Sequence, residues 1–261
     1  MSEQENILKK HLKIVVGCST FADSAGLLRM IPSLYDLADE FAIVEGRYEM
    51  FHLNGDANFD PKTKEVCKSF DKVSYYEFAG YQPDKRQYVA DIVAEKHEAD
   101  ILFIVDSDEY LHPDPQYQDI DQFRYNLALD IRSQPRQVDY IYYAKDIFSV
   151  LMWMPGPDLY EKAHNDVEDN VWIAWPRLWH KPGQFEYFNG VHYWIKRKSD
   201  PAPTKNYQTG TRVIDGIRLM TDTTLRSPEF RKARDKWAWD GLQLEKGKIR
   251  EFRRTNPSFG G

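Results

Sequence analysis

The sequence predicts an α/β fold: a Rossmann-like, mostly parallel sheet flanked by helices, with a mixed or antiparallel extension in its second half. Short apolar runs alternate with helical periodicity over residues 12–110. The run 101–105 (ILFIV) is apolar throughout, as in a strand buried on both faces. Residues 171–195 contain apolar runs separated by the turn sequences KPG and NG, which are typical of antiparallel hairpins.

The first half of the chain alternates strands and helices. Four strands are predicted at 13–18, 41–44, 72–78 and 101–105. The first helix begins at Ser24, which suits an N-cap, and carries apolar residues at helical spacing as far as Leu37. The next two helices begin at the prolines of 61–70 and 83–98. Because strands joined through helices run parallel, this half forms a compact unit of the kind that binds nucleotides.

The second half has a different pattern. It contains the predicted helices 121–133 and 228–244, the strands 139–150, 171–180, 185–188, 191–195 and 214–220, and the loops 152–170 and 199–213. The long loop 152–170 has the length expected of a functional segment. We expect one domain over 1–261, divided into halves at 12–110 and 111–247 and followed by a mobile tail at 248–261.

Composition excludes several classes of protein. The 261 residues carry a net charge of -6 and a pI near 5.7, so no general nucleic-acid or membrane-surface binding is expected. The two cysteines are too few for a disulfide framework. The N-terminal residues are polar, and no apolar run is long enough to span a membrane. These features predict a soluble, cytoplasmic protein without a membrane span.

Three acids follow the strand 101–105 within four positions. Asp106 and Asp108, two residues apart on an extended chain, point the same way, and a divalent cation makes two adjacent carboxylates tolerable. His192, directly after the turn Asn189-Gly190, is the best-placed third ligand. Such a set suits Mn²⁺ or Mg²⁺. The alternatives are a solvated acidic turn and a structural histidine.

Two cations, Lys85 and Arg86, lie in the first turn of the helix 83–98, where they oppose the helix dipole. This conflict favours a contact with an anion, although two exposed cations are an equally simple explanation. The sequence contains no Walker A motif, no G-x-G-x-x-G after its first strand and no G-x-S-x-G. A bound diphosphate would therefore need a metal ion to neutralise it.

The order of these features resembles glycosyltransferase family 2, the GT-A-fold enzymes that use nucleotide-diphosphate sugars. The residues that carry the resemblance are Cys18-Ser19-Thr20, Glu45, Asp84-Lys85-Arg86-Gln87, Asp106-Ser107-Asp108-Glu109, Pro176-Arg177-Leu178-Trp179 and Tyr187-Phe188-Asn189-Gly190-Val191-His192. The acidic segment is similar to the family's D-x-D-E. The last two segments resemble the R-L-F and Y-x-G-x-V-H sequences of a subgroup.

The resemblance implies a GT-A-like fold, a donor-binding first half and an acceptor-side second half. It implies Asp106 near the ribose and metal, Asp108 as metal ligand, and His192 at the metal or diphosphate. The other residues assigned to donor binding are Ser19, Thr20, Glu45, Asp71, Lys85, Arg86 and Arg177, with Glu45 and Asp71 in the nucleoside pocket. This chain departs from the family at Gly46-Arg47 and at Gln87.

The activity implied is metal-dependent transfer of a sugar, with inversion, from a nucleotide-diphosphate donor to an acceptor hydroxyl, and a UDP-sugar is the favoured donor. Inversion needs a carboxylate that removes the acceptor proton. Asp146, Glu168 and Asp169 are the candidates. A sugar-phosphate nucleotidyltransferase and a non-catalytic carbohydrate- or nucleotide-binding protein remain alternatives.

Overall fold

The computed structural model describes residues 12–47, 59–80, 82–132, 146–154, 171–187, 195–199 and 212–221. Its first half contains the strands β1 (Ile14–Thr20), β2 (Glu40–Glu45), β3 (Val73–Glu77) and β4 (Ile101–Ile104). These lie in the order β3-β2-β1-β4, and every neighbouring pair is parallel. The helices α1 (Ser24–Leu34), α2 (Pro61–Lys68) and α3 (Gln82–Lys96) connect them, as the alternating pattern predicts.

The second half extends the same sheet. Its elements are β5 (Glu109–Leu111), α4 (Ile120–Arg132), β6 (Ile147–Met154), β7 (Val171–His180), β8 (Phe185–Tyr187), β9 (Ile195–Arg197) and β10 (Arg212–Thr221), with single 3₁₀ turns at Pro115–Tyr117 and Pro182–Gln184. The eight-stranded sheet continues β4-β7-β6-β10-β5, and β8 pairs with β9 separately. Strand β7 is antiparallel to both β4 and β6. The predicted fold class, a mostly parallel sheet with an antiparallel extension, is confirmed.

Both faces of the sheet are covered by apolar side chains. Helices α1, α2 and α4 pack on one face around Leu27, Cys67 and Phe123. Helix α3 and the β8–β9 pair cover the other face, where Val89 and Phe185 are buried. Strands β1 and β4 are therefore buried on both faces, which explains their uninterrupted apolar sequences.

Several predicted boundaries were wrong. The predicted strand 139–150 is described only from Ile147, and it continues to Met154, into the predicted loop 152–170. It continues because β7 and β10 hydrogen-bond to it on both sides. The cap of α1 is Asp23, whose side chain accepts from the Gly26 N–H, and not Ser24. Strand β8 pairs with Ile195–Arg197, so the partner strand extends beyond its predicted end at Ile195; the rest of the predicted strand 191–195 lies outside the described residues.

The short strand β5 was not predicted as a separate element, because three residues are too few to show a period. The predicted helix 228–244 and the tail lie outside the described residues. Among the helices that the structure describes, none is both long and apolar enough to cross a membrane.

Candidate active site

The carboxyl ends of three parallel neighbours, β2, β1 and β4, lie at one edge of the sheet, which we call the carboxyl edge. Thr20 lies beside Glu45 in the register of β1 and β2, and Gly17 lies beside Ile104 in that of β1 and β4. Asp106 and Asp108 follow β4 directly. Ligands of open α/β sheets bind at this edge, because loops and helix N-termini meet there.

The Asp106 carboxylate contacts two arginines. Its Oδ1 atom is 2.8 Å from a terminal nitrogen of Arg86, in the first turn of α3. Its Oδ2 atom is 3.6 Å from a terminal nitrogen of Arg177, on β7. Leu178 pairs with Phe103, so the antiparallel course of β7 brings Arg177 to the end of β4. The side chains of Asp106, Arg86 and Arg177 are 30%, 12% and 10% exposed, so water screens these ion pairs little.

Glu109 holds the backbone of Asp106 in place. Its Oε2 atom accepts a hydrogen bond from the Asp106 backbone N–H at 2.8 Å, and its Oε1 atom forms an ion pair with Arg177. Burial raises the pKa of Glu109 to about 7, with Asp106 and Asp108 adding to the rise and Arg177 opposing it. Burial therefore outweighs the ion pair with Arg177, and the two neighbouring carboxylates further disfavour the charged form of Glu109.

Ser107, between the two aspartates, is also fixed. Its hydroxyl donates to the carboxylate of Asp23 at 2.5 Å. Gly26, in the first turn of α1, approaches the Ser107 carbonyl so closely that a Cβ there would lie 2.4 Å from the oxygen. Helix α1 therefore packs directly on the turn that carries Asp106 and Asp108, and a glycine is required at the contact.

Asp108 is 5% exposed. In the part of the chain that the structure describes, no three His, Cys, Asp or Glu side chains are grouped so that they could hold a metal ion. His192, the third predicted ligand, lies outside the described residues. Two carboxylates after β4 are hard oxygen donors of the kind that Mn²⁺ and Mg²⁺ prefer.

Lys85 lies in the first turn of α3 but does not face solvent. It is fully buried, and its Nζ atom donates to the backbone carbonyls of Thr20, at 2.5 Å, and Gly46, at 2.6 Å. Burial lowers the pKa of Lys85 to about 7, although Glu45 opposes this shift. Lys85 therefore joins the ends of β1 and β2 and presents its ammonium group to main-chain oxygens.

Glu45 is fully buried at the end of β2. Its carboxylate accepts from the Asp60 backbone N–H at 3.1 Å and from the Tyr75 hydroxyl at 3.2 Å. Burial raises the pKa of Glu45. Beside it, Thr20 is 2% exposed, and its hydroxyl has no hydrogen-bond partner among the described residues. A buried hydroxyl without a partner is costly and suits a ligand contact.

Eight predicted site residues lie at this edge: Ser19, Thr20, Glu45, Lys85, Arg86, Asp106, Asp108 and Arg177. Ser19 is buried next to Thr20. Asp71 is not brought to them: it is exposed and precedes β3, at the opposite edge of the sheet. That opposite edge, where the parallel strands begin, we call the amino edge.

Asp146 also lies at the amino edge. It directly precedes β6, and Ile147 pairs with Trp179 next to the start of β4. Its carboxylate accepts from His180 Nδ1 at 3.0 Å and forms an ion pair with Arg197. The structure therefore separates Asp146 from Asp106, because β6 runs in the same direction as β4 and begins at the far end. Glu168 and Asp169 lie outside the described residues.

Sequence reasoning missed three residues next to the site. Glu109 belongs to the acidic run but has no predicted role, and the sequence favours Ser24 rather than Asp23 as the cap of the first helix. Tyr187, on β8, is close enough to Arg86 for a side-chain hydrogen bond, and burial raises its pKa. The only signal for Tyr187 was its place in the segment that ends at His192.

Similarity to solved structures is low. A mannosyltransferase from Pyrobaculum calidifontis, solved with GDP-Man and Mn²⁺, matches with 10% identity and a TM-score of 0.31, over 56% of this chain and 40% of that one. A mannose-1-phosphate geranyltransferase from Thermus thermophilus matches with 11% identity and a TM-score of 0.28, over 56% and 42%. The chain thus spans less than half of either protein. No protein-family model and no curated protein matches it.

Proposed function

We propose that the protein is a metal-dependent glycosyltransferase of family 2 that moves a sugar, with inversion, from a nucleotide-diphosphate donor to an acceptor hydroxyl. The observation that carries this proposal is the meeting of Asp106, Arg86 and Arg177 at the carboxyl edge, with Asp108 two residues away. Adjacent carboxylates and guanidinium groups together suit a ligand that contains both a divalent cation and a diphosphate.

In this proposal Arg86 and Arg177 bind the diphosphate, since a guanidinium group matches phosphate oxygens with two parallel hydrogen bonds. Thr20 and Ser19, at the end of β1, contact the nucleoside, and Glu45 shapes its pocket from β2. The buried hydroxyl of Thr20, which has no hydrogen-bond partner in the described part of the chain, supports this assignment. Lys85 acts indirectly, because its ammonium group already binds the carbonyls of Thr20 and Gly46.

Asp106 and Asp108 would hold Mn²⁺ or Mg²⁺, with His192 as the proposed third protein ligand. The metal supplies Lewis-acid stabilisation of the charge that develops on the leaving diphosphate. Glu109 and Ser107 keep the two aspartates in place through the Asp106 N–H and the Asp23 carboxylate. Glu168 or Asp169 removes the acceptor proton; Asp146 is not proposed for this role, because His180 and Arg197 hold it at the amino edge.

The test is calorimetric titration with UDP, GDP, dTDP and CDP, each with and without Mn²⁺. The proposal expects one nucleotide, UDP by preference, to bind only with metal, and expects Asp108→Ala to abolish that binding. Asp215→Ala is the matched control, since Asp215 is an exposed acid on β10 whose carboxylate pairs with Arg218. Absence of metal-dependent binding of all four nucleotides would contradict the proposal.

The contact of both Asp106 oxygens with arginines also favours a second candidate, a non-catalytic nucleotide- or carbohydrate-binding protein. In such a protein the arginines would bind the anion and Asp106 would only hold them in place. Nucleotide would then bind equally well with and without Mn²⁺, and Asp108→Ala would bind like the wild type. The same titration therefore separates the two candidates.

A further inference from the structure

The two arginines that pair with Asp106 would compete with a metal ion for its carboxylate. Both of its oxygens face a guanidinium group, from Arg86 at 2.8 Å and Arg177 at 3.6 Å. A cation that binds Asp106 must displace these contacts and must approach two positive charges in a site that water reaches poorly. Mn²⁺ alone therefore meets a repulsive arrangement, although the carboxylates are of the right type.

A diphosphate alone meets the opposite difficulty. It can bind Arg86 and Arg177, but it must approach the carboxylates of Asp106, Asp108 and Glu109, of which Glu109 is itself paired with Arg177. Asp106 and Glu109 already pair with the two arginines. A single charged ligand would displace these ion pairs without replacing them, whereas a cation and an anion bound together would give Asp106 and both arginines new partners.

We propose that a nucleoside diphosphate and Mn²⁺ bind this site cooperatively, because the diphosphate takes over Arg86 and Arg177 and so releases the Asp106 carboxylate to the metal. The inference rests on the proposed function and adds the cause of the coupling: an exchange of ion pairs links the binding of the two ligands. No bond is made or broken in the exchange. Asp106 changes partners from guanidinium to metal, and the guanidinium groups change partners from carboxylate to phosphate.

Coupling of this kind is reciprocal. If UDP raises the affinity for Mn²⁺ by some factor, Mn²⁺ must raise the affinity for UDP by the same factor. For the wild type we expect a factor of about ten or more, which corresponds to the loss of one partly buried ion pair. Mn²⁺ affinity is measured by electron paramagnetic resonance of the free ion, and UDP affinity by calorimetry.

The decisive variant is Arg86→Gln. It removes the guanidinium group nearest to Asp106, so the affinity for Mn²⁺ alone should rise about tenfold, while the affinity for UDP and the coupling factor should both fall. A residue with a merely structural role would not strengthen metal binding when it is removed. Arg86→Lys, which keeps the charge, should leave binding of Mn²⁺ alone as weak as in the wild type.

Arg212→Gln is the matched control. Arg212 forms an ion pair of the same length, 2.8 Å, with Asp130, and its removal changes the net charge equally. It should leave the Mn²⁺ affinity unchanged. Thermal unfolding of all variants confirms that each is folded, and Arg86→Lys carries the comparison if Arg86→Gln does not fold: its coupling factor should then match that of the wild type.

The outcomes separate the inference from the proposed function. If one of UDP, GDP, dTDP and CDP binds more tightly with Mn²⁺ than without it, but Arg86→Gln gains no affinity for Mn²⁺, the inference alone is overturned. If Mn²⁺ strengthens the binding of none of the four, the proposed function fails and the inference fails with it. Strong coupling together with the gain in Arg86→Gln supports both.

Discussion

Both edges of the sheet carry buried ionisable groups, but the balance between burial and ion pairing, which sets their pKa values, is opposite at the two edges. At the amino edge, burial works against the Asp146 carboxylate, yet the contacts with His180 and Arg197 prevail and lower its pKa. At the carboxyl edge, burial prevails, so the pKa of Glu109 rises to about 7 and that of Lys85 falls to about 7. The first pattern stabilises the fold at neutral pH, whereas the second destabilises it.

This difference supports the proposed position of the site at the carboxyl edge. A fold accepts charges that cost stability where a site needs them, and perturbed pKa values cluster at functional sites. Glu40 follows the amino-edge pattern: despite its partial burial, its contacts with Lys13 and His97 lower its pKa. The charged residues described at the amino edge therefore join elements of the fold, whereas those at the carboxyl edge are placed where the proposed ligand would bind.

The largest expected effect is on turnover. Asp108→Asn should reduce the transfer rate by about 10²- to 10³-fold, because it removes a carboxylate from the proposed metal site while keeping its shape. Asp146→Asn, at the amino edge, should keep the wild-type rate per folded molecule. The rate of donor consumption is measured on both variants. Equal losses of rate in the two would contradict the difference between the two edges.

The next effect is the pH dependence contributed by Lys85. Its pKa is about 7 in the fold and about 10.4 in an unfolded chain, so the unfolded state binds the extra proton between these values. The stability of the wild type relative to Lys85→Met should therefore rise with pH between 7 and 10, by at most about 1.4 kcal/mol per pH unit. Urea unfolding of both proteins across this range measures the difference, and a constant or falling difference contradicts it.

Asp146→Asn should cost a smaller amount of stability, about 2 kcal/mol at pH 7, since it leaves Arg197 without its acidic partner. The folded pKa of Asp146 lies below its unfolded value of about 3.9, so this contribution is present above pH 4 and is lost as the pH falls through the folded pKa. Urea unfolding at pH 7, 5 and 3 should show a loss that is equal at the first two values and reduced at the third.

The smallest effect is expected for Ser107→Ala, about 1 kcal/mol of stability, because the variant loses one hydrogen bond to Asp23. Metal-dependent nucleotide binding should weaken about tenfold as the turn loosens. Ser33→Ala provides the comparison, since the Ser33 hydroxyl also makes intramolecular hydrogen bonds, to the Met30 carbonyl and from the Leu111 N–H, but both of these partners lie outside the turn 106–108. It should lose similar stability without weakening nucleotide binding.

The sequence predicted the sheet well because buried parallel strands leave long apolar runs, as in 101–105. It predicted the acidic residues of the candidate site because D-x-D follows one of these runs. It failed where position depends on pairing across the sheet. The direction of β6, which places Asp146 at the amino edge, follows from its antiparallel pairing with β7, and no local pattern encodes that. Lys85 was placed in the correct turn, but its contacts with main-chain carbonyls depend on where β1 and β2 end.

The central claim is that metal and nucleotide bind at the carboxyl edge, and paramagnetic broadening by Mn²⁺ tests it most directly. In amide spectra of the labelled protein with UDP, substoichiometric Mn²⁺ should erase the signals of Thr20, Gly46 and residues 106–109 first. The signals of Asp146, His180 and Arg197 should persist. Broadening that begins at the amino edge, or that is uniform across the sheet, would contradict the account.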